Sequence, residues 1–308
     1  MSSPPAKRQR TEDAPPTRSS TWRSDGNVVL QAGNTQYRVH WSVLALHSPV
    51  FHDMHGLPQP AEQATVEGCP VVELPDDPQD VEHLLTALYT PTFLSQEKIS
   101  FSAVAALVRL GKKYEFKDLF DSVVGRLASE IPMTLQAYDA MEGEYLAIES
   151  YLGLNLDILI LASENNLFTI LPCVYFFATD ELFEGITRTD GTTVCLPPSL
   201  LRKCIVAQQN LVLKQSQLDY TFGWAFDGVF DGCMAKVKCM EARTEFLGHF
   251  LPSGFYGFLE PSHIKFYGFC SSCAGYAKKR LIAGRQKLWD ELPDVFGLPP
   301  WNELKNEY

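Results

Sequence analysis

The sequence lacks the features of membrane-spanning proteins and of several common enzyme classes. No stretch reaches the roughly 20 apolar residues that a membrane-spanning helix requires. The most apolar stretch, residues 167–178, contains Pro172 and lies between Glu164 and Asp180. The GxGxxG dinucleotide motif, the Walker A phosphate loop, the HExxH zinc-protease motif and the GxSxG hydrolase motif are all absent. We therefore expect neither a membrane segment nor enzymatic activity.

Positive charge is scarce outside the first residues of the chain. The 308 residues include 26 Lys and Arg against 37 Asp and Glu, which gives a formal net charge of −11. The first 24 residues hold five basic and two acidic side chains, so they carry +3 and the remaining 284 carry −14. Binding to a nucleic-acid backbone needs clustered Lys and Arg. The acidic body therefore predicts no direct nucleic-acid partner.

The N-terminus also lacks the apolar core of a secretory signal, since it begins Met-Ser-Ser-Pro-Pro-Ala-Lys-Arg. We therefore expect the eight cysteines to lie in a reducing compartment, the nucleus or the cytoplasm. There they would serve as buried thiols, metal ligands or redox groups.

Residues 1–23 contain almost no apolar side chain and are rich in Pro, Ser, Thr and Arg. Such a segment cannot offset its ordering entropy by burial, so we predict a disordered basic tail. Within it Lys7, Arg8 and Arg10 form a short basic cluster of the kind that nuclear import receptors bind. The alternative is a solvated tail that only aids solubility.

Residues 24–132 show strand patterns first and helix patterns afterwards, as an α+β domain does. Residues 28–31 and 35–39 flank a Gly-Asn turn and predict a β-hairpin, and residues 71–74 predict a third strand. Helix starts are predicted at Ser42, at Ser48-Pro49 and at Asp77-Pro78. Two further helices are predicted over residues 102–114 and 117–129.

A family resemblance rests on an ordered set of short segments within this region. They are Asp25 to Leu30, Tyr37-Arg-Val-His40, Val43-Leu44-Ala45, Ser48-Pro-Val-Phe51, Leu88-Tyr89-Thr90 and the helical pattern from Leu110 to Leu127. Together they resemble the signature of BTB/POZ domains, most closely those of fungal proteins with a Cys-containing C-terminal region. The resemblance implies a short β-sheet with packed helices and a role in protein–protein interaction. Its signature residues here are Asp25, His40, Leu44, Ser48, Phe51 and Tyr89.

The same resemblance implies where a partner would bind. BTB domains of cullin ligase adaptors approach the cullin through the helix at Phe51 and the loop after it, which here gives Phe51, Met54, His55 and Leu57 as interaction residues. Core packing accounts for Phe51 equally well. His40, between a strand and a helix, is better explained as a hydrogen-bonded structural group than as a catalytic one.

Two departures from the family pattern affect what the resemblance implies. Many members place a basic residue after the signature histidine and pair it with the aspartate of the first strand, but here that position is Trp41, so Asp25 lacks this partner. Many dimeric members also exchange an amphipathic N-terminal helix, whose pattern residues 1–24 do not show. We therefore expect a homodimer without that exchange.

Residues 133–232 are predicted to be mostly helical, over 155–167, 169–177, 180–186 and 199–215, with no sustained heptad or internal repeat. Four acidic residues between Asp139 and Glu149 are typical of a solvated helix face.

Residues 233–308 contain a possible metal site. Cys233 and Cys239 form one pair of thiols, and thirty residues later Cys270 and Cys273 form a CxxC pair. Four thiolates are a common ligand set for zinc. The alternatives are buried thiols, or a redox-active dithiol at Cys270 and Cys273 whose helix N-terminus would lower a thiolate pKa.

The aromatic and leucine residues after position 288 resemble the C-terminus of the same fungal proteins, and we expect them to pack back onto this unit or onto an earlier helix. The overall prediction is a non-enzymatic interaction protein that self-associates or recruits a protein partner through its BTB domain, with a role in transcriptional regulation. The alternatives are a substrate adaptor of a cullin-type ubiquitin ligase and a redox-active dithiol protein.

Overall fold

The structure is a computed structural model, and it describes residues 15–57, 63–141, 143–182, 187, 191, 193–228, 230–250 and 254–308. The chain divides into two compact units. The first extends to Leu127 and includes Leu146–Glu149, and the second comprises Ala128–Tyr145 and Ser150–Tyr308. The second unit thus includes both the predicted helical region and the predicted Cys-containing module.

The first unit is built on a five-stranded sheet. The strands are β1 Thr17–Trp22, β2 Val28–Ala32, β3 Thr35–Val39, β4 Thr65–Val66 and β5 Cys69–Leu74, in the order β1-β3-β2-β5-β4. β2 and β3 form the predicted antiparallel hairpin, in which Leu30 lies opposite Tyr37. Gly33 in its turn has φ +51°, a left-handed conformation that glycine adopts without strain. β2 pairs in parallel with β5 on its other side.

The prediction that residues 1–23 are disordered is wrong for its last part, because residues 17–22 form β1. This strand pairs in parallel with β3, and the amide of Thr17 donates to the carbonyl of Asn34 at 2.8 Å. The hydroxyls of Ser20 and Thr21 both donate to Glu82. This segment has few apolar side chains to bury. It is ordered instead by backbone hydrogen bonds to β3 and by side-chain hydrogen bonds to Glu82. Residues 1–14, with Lys7, Arg8 and Arg10, lie outside the described residues.

The first unit has five helices, of which two lie between β3 and β4 and three follow β5. They are α1 Trp41–His47, α2 Pro49–His55, α3 Pro78–Tyr89, α4 Phe101–Lys113 and α5 Lys117–Ser129. The predicted start at Ser42 is one residue late, because α1 begins at Trp41, whose amide donates to the side chain of Asn27 at 2.8 Å. The other two starts are confirmed. Asp77 caps α3 ahead of Pro78, and Ser48 caps α2 ahead of Pro49.

The second unit consists of helices. They are α6 Leu135–Asp139, α7 Leu154–Asn165, α8 Leu171–Glu181, α9 Pro198–Lys214, α10 Lys236–Phe250, α11 Ser271–Asp290 and α12 Leu292–Val295. α7 and α8 are buried on most sides, as their nearly continuous apolar sequence suggests. The predicted helix over 180–186 is not seen as a separate element: Asp180 belongs to α8, and residues 183–186 lie outside the described residues.

The aromatic residues near the C-terminus pack within the second unit. Phe296 stacks on Tyr175 of α8, with ring centroids 5.0 Å apart. Trp301 stacks on Trp289, and its indole nitrogen donates to the backbone carbonyl of Trp289 at 3.0 Å. In the described part of the chain, no helix combines the length and the apolar character needed to cross a bilayer.

Candidate metal centre and interaction surface

Four cysteine side chains meet at one point of the second unit. The sulfur atoms of Cys233, Cys239, Cys270 and Cys273 all lie within 4.8 Å of one another. A tetrahedral zinc ion with Zn–S bonds of about 2.3 Å would hold its four sulfurs about 3.8 Å apart. Small side-chain rotations would therefore convert the cluster into a tetrahedral ligand set.

The ends of two helices bring these cysteines together. Cys239 lies in the first turn of α10, and its amide donates to the carbonyl of Ala235. Cys270 is the N-cap residue of α11, and Cys273 lies in the first turn of that helix. Cys233 precedes α10 in a turn, where its amide donates to the carbonyl of Phe230 at 2.9 Å. Helix N-termini favour negative charge, so both helices stabilise thiolates at this point.

Backbone amides also donate to the sulfurs. The amide of Cys270 donates to the sulfur of Cys239 at 3.2 Å. The amides of Cys273 and Met234 hydrogen-bond to Cys270 and lower the pKa of its thiol to about 6. Desolvation raises the pKa of Cys273. In metal–thiolate sites, amide hydrogen bonds of this kind orient the sulfur ligands.

The remaining cysteines are separate from this cluster. Cys69, Cys173 and Cys204 are buried free thiols, and Cys195 is exposed. Cys173 donates to the carbonyl of Pro132 at 2.8 Å, and burial raises its pKa well above the ordinary value. This is the behaviour of an unreactive core thiol.

In the first unit, the signature residues form a hydrogen-bonded chain. His40 Nε2 lies 3.2 Å from Asp25 Oδ1, and His40 Nδ1 lies 3.1 Å from the hydroxyl of Tyr89. The backbone amide of His40 donates to the same hydroxyl at 2.8 Å. His40 is thus hydrogen-bonded through both ring nitrogens and its backbone amide, as expected of a histidine between a strand and a helix. Asp25 thus finds a partner in His40, which the sequence pattern did not reveal.

Comparison with known proteins gives one family match. The model of the BTB/POZ domain family matches residues 20–130. These residues are a BTB/POZ domain. No curated protein matches the chain at a significant level. The resemblance proposed for residues 25–132 is therefore confirmed, whereas the similarity to fungal proteins with a Cys-containing C-terminus stays a prediction.

BTB domains mediate protein–protein interaction, so the position of the four predicted interaction residues matters. Phe51 is buried, with 1% of its surface exposed, and it packs against Tyr114 and Phe116. It belongs to the core of the BTB domain and presents no surface to a partner. Met54 is partly buried, and His55 and Leu57 are exposed. These three are the residues of the set that a partner can reach.

The structure adds one exposed apolar residue that sequence patterning did not single out. Leu46 on α1 has 76% of its surface exposed, more than Leu57 with 62%. Leu44 and Leu46 are two positions apart on α1, so they point to roughly opposite sides of the helix. Leu44 is buried and Leu46 is exposed.

Proposed function

We propose that this chain is a non-enzymatic interaction protein whose BTB domain self-associates and recruits a protein partner. The observation that carries the proposal is the BTB match over residues 20–130, since such domains act by binding proteins. The exposed apolar side chains of Leu46 and Leu57 support it, because exposed apolar groups can be buried in a protein contact. The mechanism is non-covalent.

Self-association is tested by the molar mass of the full chain from light scattering over a range of concentrations. We expect a dimer that Leu46→Asp converts to a monomer, because a buried unpaired carboxylate strongly disfavours an interface. Leu152→Asp is the matched control, since Leu152 is an exposed leucine of the second unit. A wild-type chain that stays monomeric at about 100 μM, well above micromolar dimer affinities, contradicts the dimer.

The partner role divides into transcriptional regulation and cullin-ligase adaptation. Copurification of the full chain with cullins separates the two. An adaptor binds a cullin, and Leu57→Asp weakens that binding whereas Leu46→Asp leaves it intact. A chain that retains no cullin favours the transcriptional role.

The transcriptional role also requires nuclear import, which we propose depends on Lys7, Arg8 and Arg10. Replacing these three with alanine is expected to move a fluorescent fusion from the nucleus to the cytoplasm.

We further propose that Cys233, Cys239, Cys270 and Cys273 bind one structural zinc ion. The convergence of four sulfurs supports zinc over a redox pair, because a dithiol needs only Cys270 and Cys273. All four positions would be filled by protein ligands, which is typical of structural rather than catalytic zinc. The ion would hold the start of α10 to the start of α11.

Metal analysis of the purified, reduced chain tests this site. We expect one zinc per chain, lost in Cys270→Ser and retained in Cys195→Ser, which removes an exposed cysteine outside the cluster. A metal-free wild-type chain with a reversible Cys270–Cys273 disulfide contradicts the zinc site and supports the redox alternative.

A further inference from the structure

A cavity of about 570 Å³ in the second unit is walled by aromatic rings. Seven phenylalanine and tyrosine rings line it, among them those of Tyr138, Phe176, Phe177, Phe255, Tyr256 and Phe258. Neighbouring rings meet edge to face: Phe258 lies 5.1 Å from Phe176 at 76° and 5.2 Å from Phe255 at 85°. Rings arranged at steep angles to one another present faces in several directions, as the walls of an aromatic cage do.

The same cavity is lined by five carboxylates, on Asp139, Glu144, Asp180, Glu181 and Glu260. Among its described lining residues there is no lysine or arginine, and His263 is the one imidazole. This corrects the sequence-based view of the acidic cluster: Asp139 and Glu144 face a concave aromatic surface rather than forming one side of a solvated helix.

These carboxylates differ in their hydrogen-bond and ion-pair partners. Asp139 forms a bidentate pair with the guanidinium of Arg285. Glu181 accepts a hydrogen bond from the amide of Asn155 at 2.6 Å. Asp180 is exposed to solvent, and the described residues provide it with no salt-bridge partner. Neighbouring protein atoms still desolvate its carboxyl in part and raise its pKa. Asp180 is thus an accessible carboxylate with no resident cation among the described residues.

A neighbouring cavity of about 790 Å³ shares Asp180, Phe255 and Tyr256 with the first. Gln208 lines it, and the side-chain oxygen of Gln208 is buried with no hydrogen-bond partner among the described residues. Such an oxygen is costly to leave unpaired.

An inorganic cation does not fit this arrangement. A metal ion draws its oxygen ligands to within about 2.6 Å of itself. Within the described residues, the four cysteines are the one group of His, Cys, Asp or Glu side chains that converges closely enough to hold a metal. The carboxylates of the cavity are too far apart for this, whereas a larger organic cation can contact rings and carboxylates together.

We propose that this cavity binds an organic ammonium ion, with the aromatic rings around its head group and Asp180 as its counter-charge. Rings attract a cation through their negative faces, and the attraction is strongest where water is excluded. The long alkyl portion of such a ligand would extend along Phe255 and Tyr256 into the neighbouring cavity. The proposal does not depend on the partner of the BTB domain or on zinc.

Calorimetric titration of the full chain with choline and with its neutral isostere 3,3-dimethylbutan-1-ol tests the proposal. We expect choline to bind about tenfold more tightly, because a desolvated cation–π contact is worth about 1–2 kcal/mol. Trimethyl-lysine and lysine form the second pair of probes. Tighter binding of trimethyl-lysine than of choline indicates a modified side chain as the source, and the reverse indicates a free small molecule.

Asp180→Asn is expected to weaken choline binding by about tenfold, which corresponds to loss of about 1.4 kcal/mol. Glu164→Gln is the matched control: it removes one carboxylate from an exposed position on α7 outside the cavity, and it should leave the affinity within about twofold. Tyr256→Leu provides a second test that leaves every charge in place, and circular dichroism checks that each variant is folded.

Three results would overturn the proposal. The first is equal binding of choline and its neutral isostere. The second is no binding of any of the ammonium probes at about 10 mM, since weaker affinities fall below those of recognition sites. The third is an equal loss for Glu164→Gln and Asp180→Asn, which would show that only the net charge of the chain attracts the cation.

Discussion

Ser48 links the start of one helix of the BTB domain to the end of another. Its side-chain oxygen accepts from the amide of Phe51 at 3.1 Å and so caps α2. Its hydroxyl donates to the carbonyl of Tyr114, the residue that ends α4. Ser48 is buried, with 1% of its surface exposed, so water cannot replace either bond. Ser48→Ala therefore removes a cap and leaves a buried carbonyl without its donor.

The expected cost is the sum of these two effects. Loss of a serine cap costs about 1 kcal/mol, and an unpaired buried acceptor costs about 1–3 kcal/mol. Ser100 provides a matched comparison, because it caps α4 through the amide of Ala103 at 3.3 Å. It is only partly buried, and its other side-chain contact is the exposed hydroxyl of Ser102. We expect Ser100→Ala to cost about 1 kcal/mol and Ser48→Ala to cost about 2–4 kcal/mol.

Hydrogen exchange of the full chain, followed by mass spectrometry, measures this difference. Amides of the central strand β2 exchange only when the BTB domain opens, so their protection reports its free energy of unfolding. We expect their protection to fall about 30-fold further in Ser48→Ala than in Ser100→Ala, which corresponds to about 2 kcal/mol. Equal losses in the two variants would refute the reasoning, since the bond from Ser48 to Tyr114 would then contribute nothing.

Two further substitutions test other parts of the fold. Gly284→Ala is expected to destabilise the second unit by about 3 kcal/mol, because its new Cβ would overlap the backbone of Tyr220. Gly275→Ala on the same helix meets open space and should be neutral or stabilising in thermal unfolding. The pKa of Asp25 lies below its ordinary 3.8, through a hydrogen bond from its own backbone and through His40. A lowered pKa gives stability that is present above pH 3.8 and is lost as the pH falls, so Asp25→Asn should remove that part of the acid sensitivity. A carboxyl titration midpoint at or above 3.8 by NMR would contradict this.

The sequence allowed much of the BTB domain to be predicted because its signals are local. A Gly-Asn turn between two alternating segments specifies a hairpin, and a serine or aspartate before proline specifies a helix start. β1 could not be predicted in this way. Its residues have little apolar surface, and it is ordered by pairing with β3 and by hydrogen bonds to Glu82, which lies about sixty residues further along the chain. Such long-range contacts leave no local pattern.

Surface position was harder to predict than secondary structure. Phe51 and Leu57 are close in the sequence and both apolar, yet one is in the core and the other is exposed. Leu57 lies beyond the end of α2, where helical periodicity carries no information about burial. The cavity of the second unit had no sequence signal at all, because its rings come from α6, from α8 and from the segment around Phe255.

The four cysteines illustrate how a pattern can be correct and still ambiguous. On α10 the buried residues are Cys239, Ala242 and Phe246, and on α11 they begin with Cys273 and Ala277. Cys239 and Cys273 therefore each occupy the first position of the apolar side of a helix. A buried thiol without a metal would also lie there. Sequence periodicity is therefore the same for a metal ligand and for a buried thiol.

The packing of α10 and α11 supports the zinc interpretation that we propose. Phe246 of α10 and Ala277 and Leu281 of α11 belong to one hydrophobic cluster, which also contains Phe222 and Trp224. This hydrophobic cluster packs α10 and α11 together away from their N-terminal ends. At the N-terminal ends, the side chains that meet are the cysteines. Thiols alone would stabilise these helix ends little, because they are weak hydrogen-bond donors. A zinc ion bound by the four sulfurs would hold the two helix ends together. Zinc removal should therefore loosen the ends of the two helices before the cluster around Phe246, and hydrogen exchange that shows the opposite order would contradict a structural role for the metal.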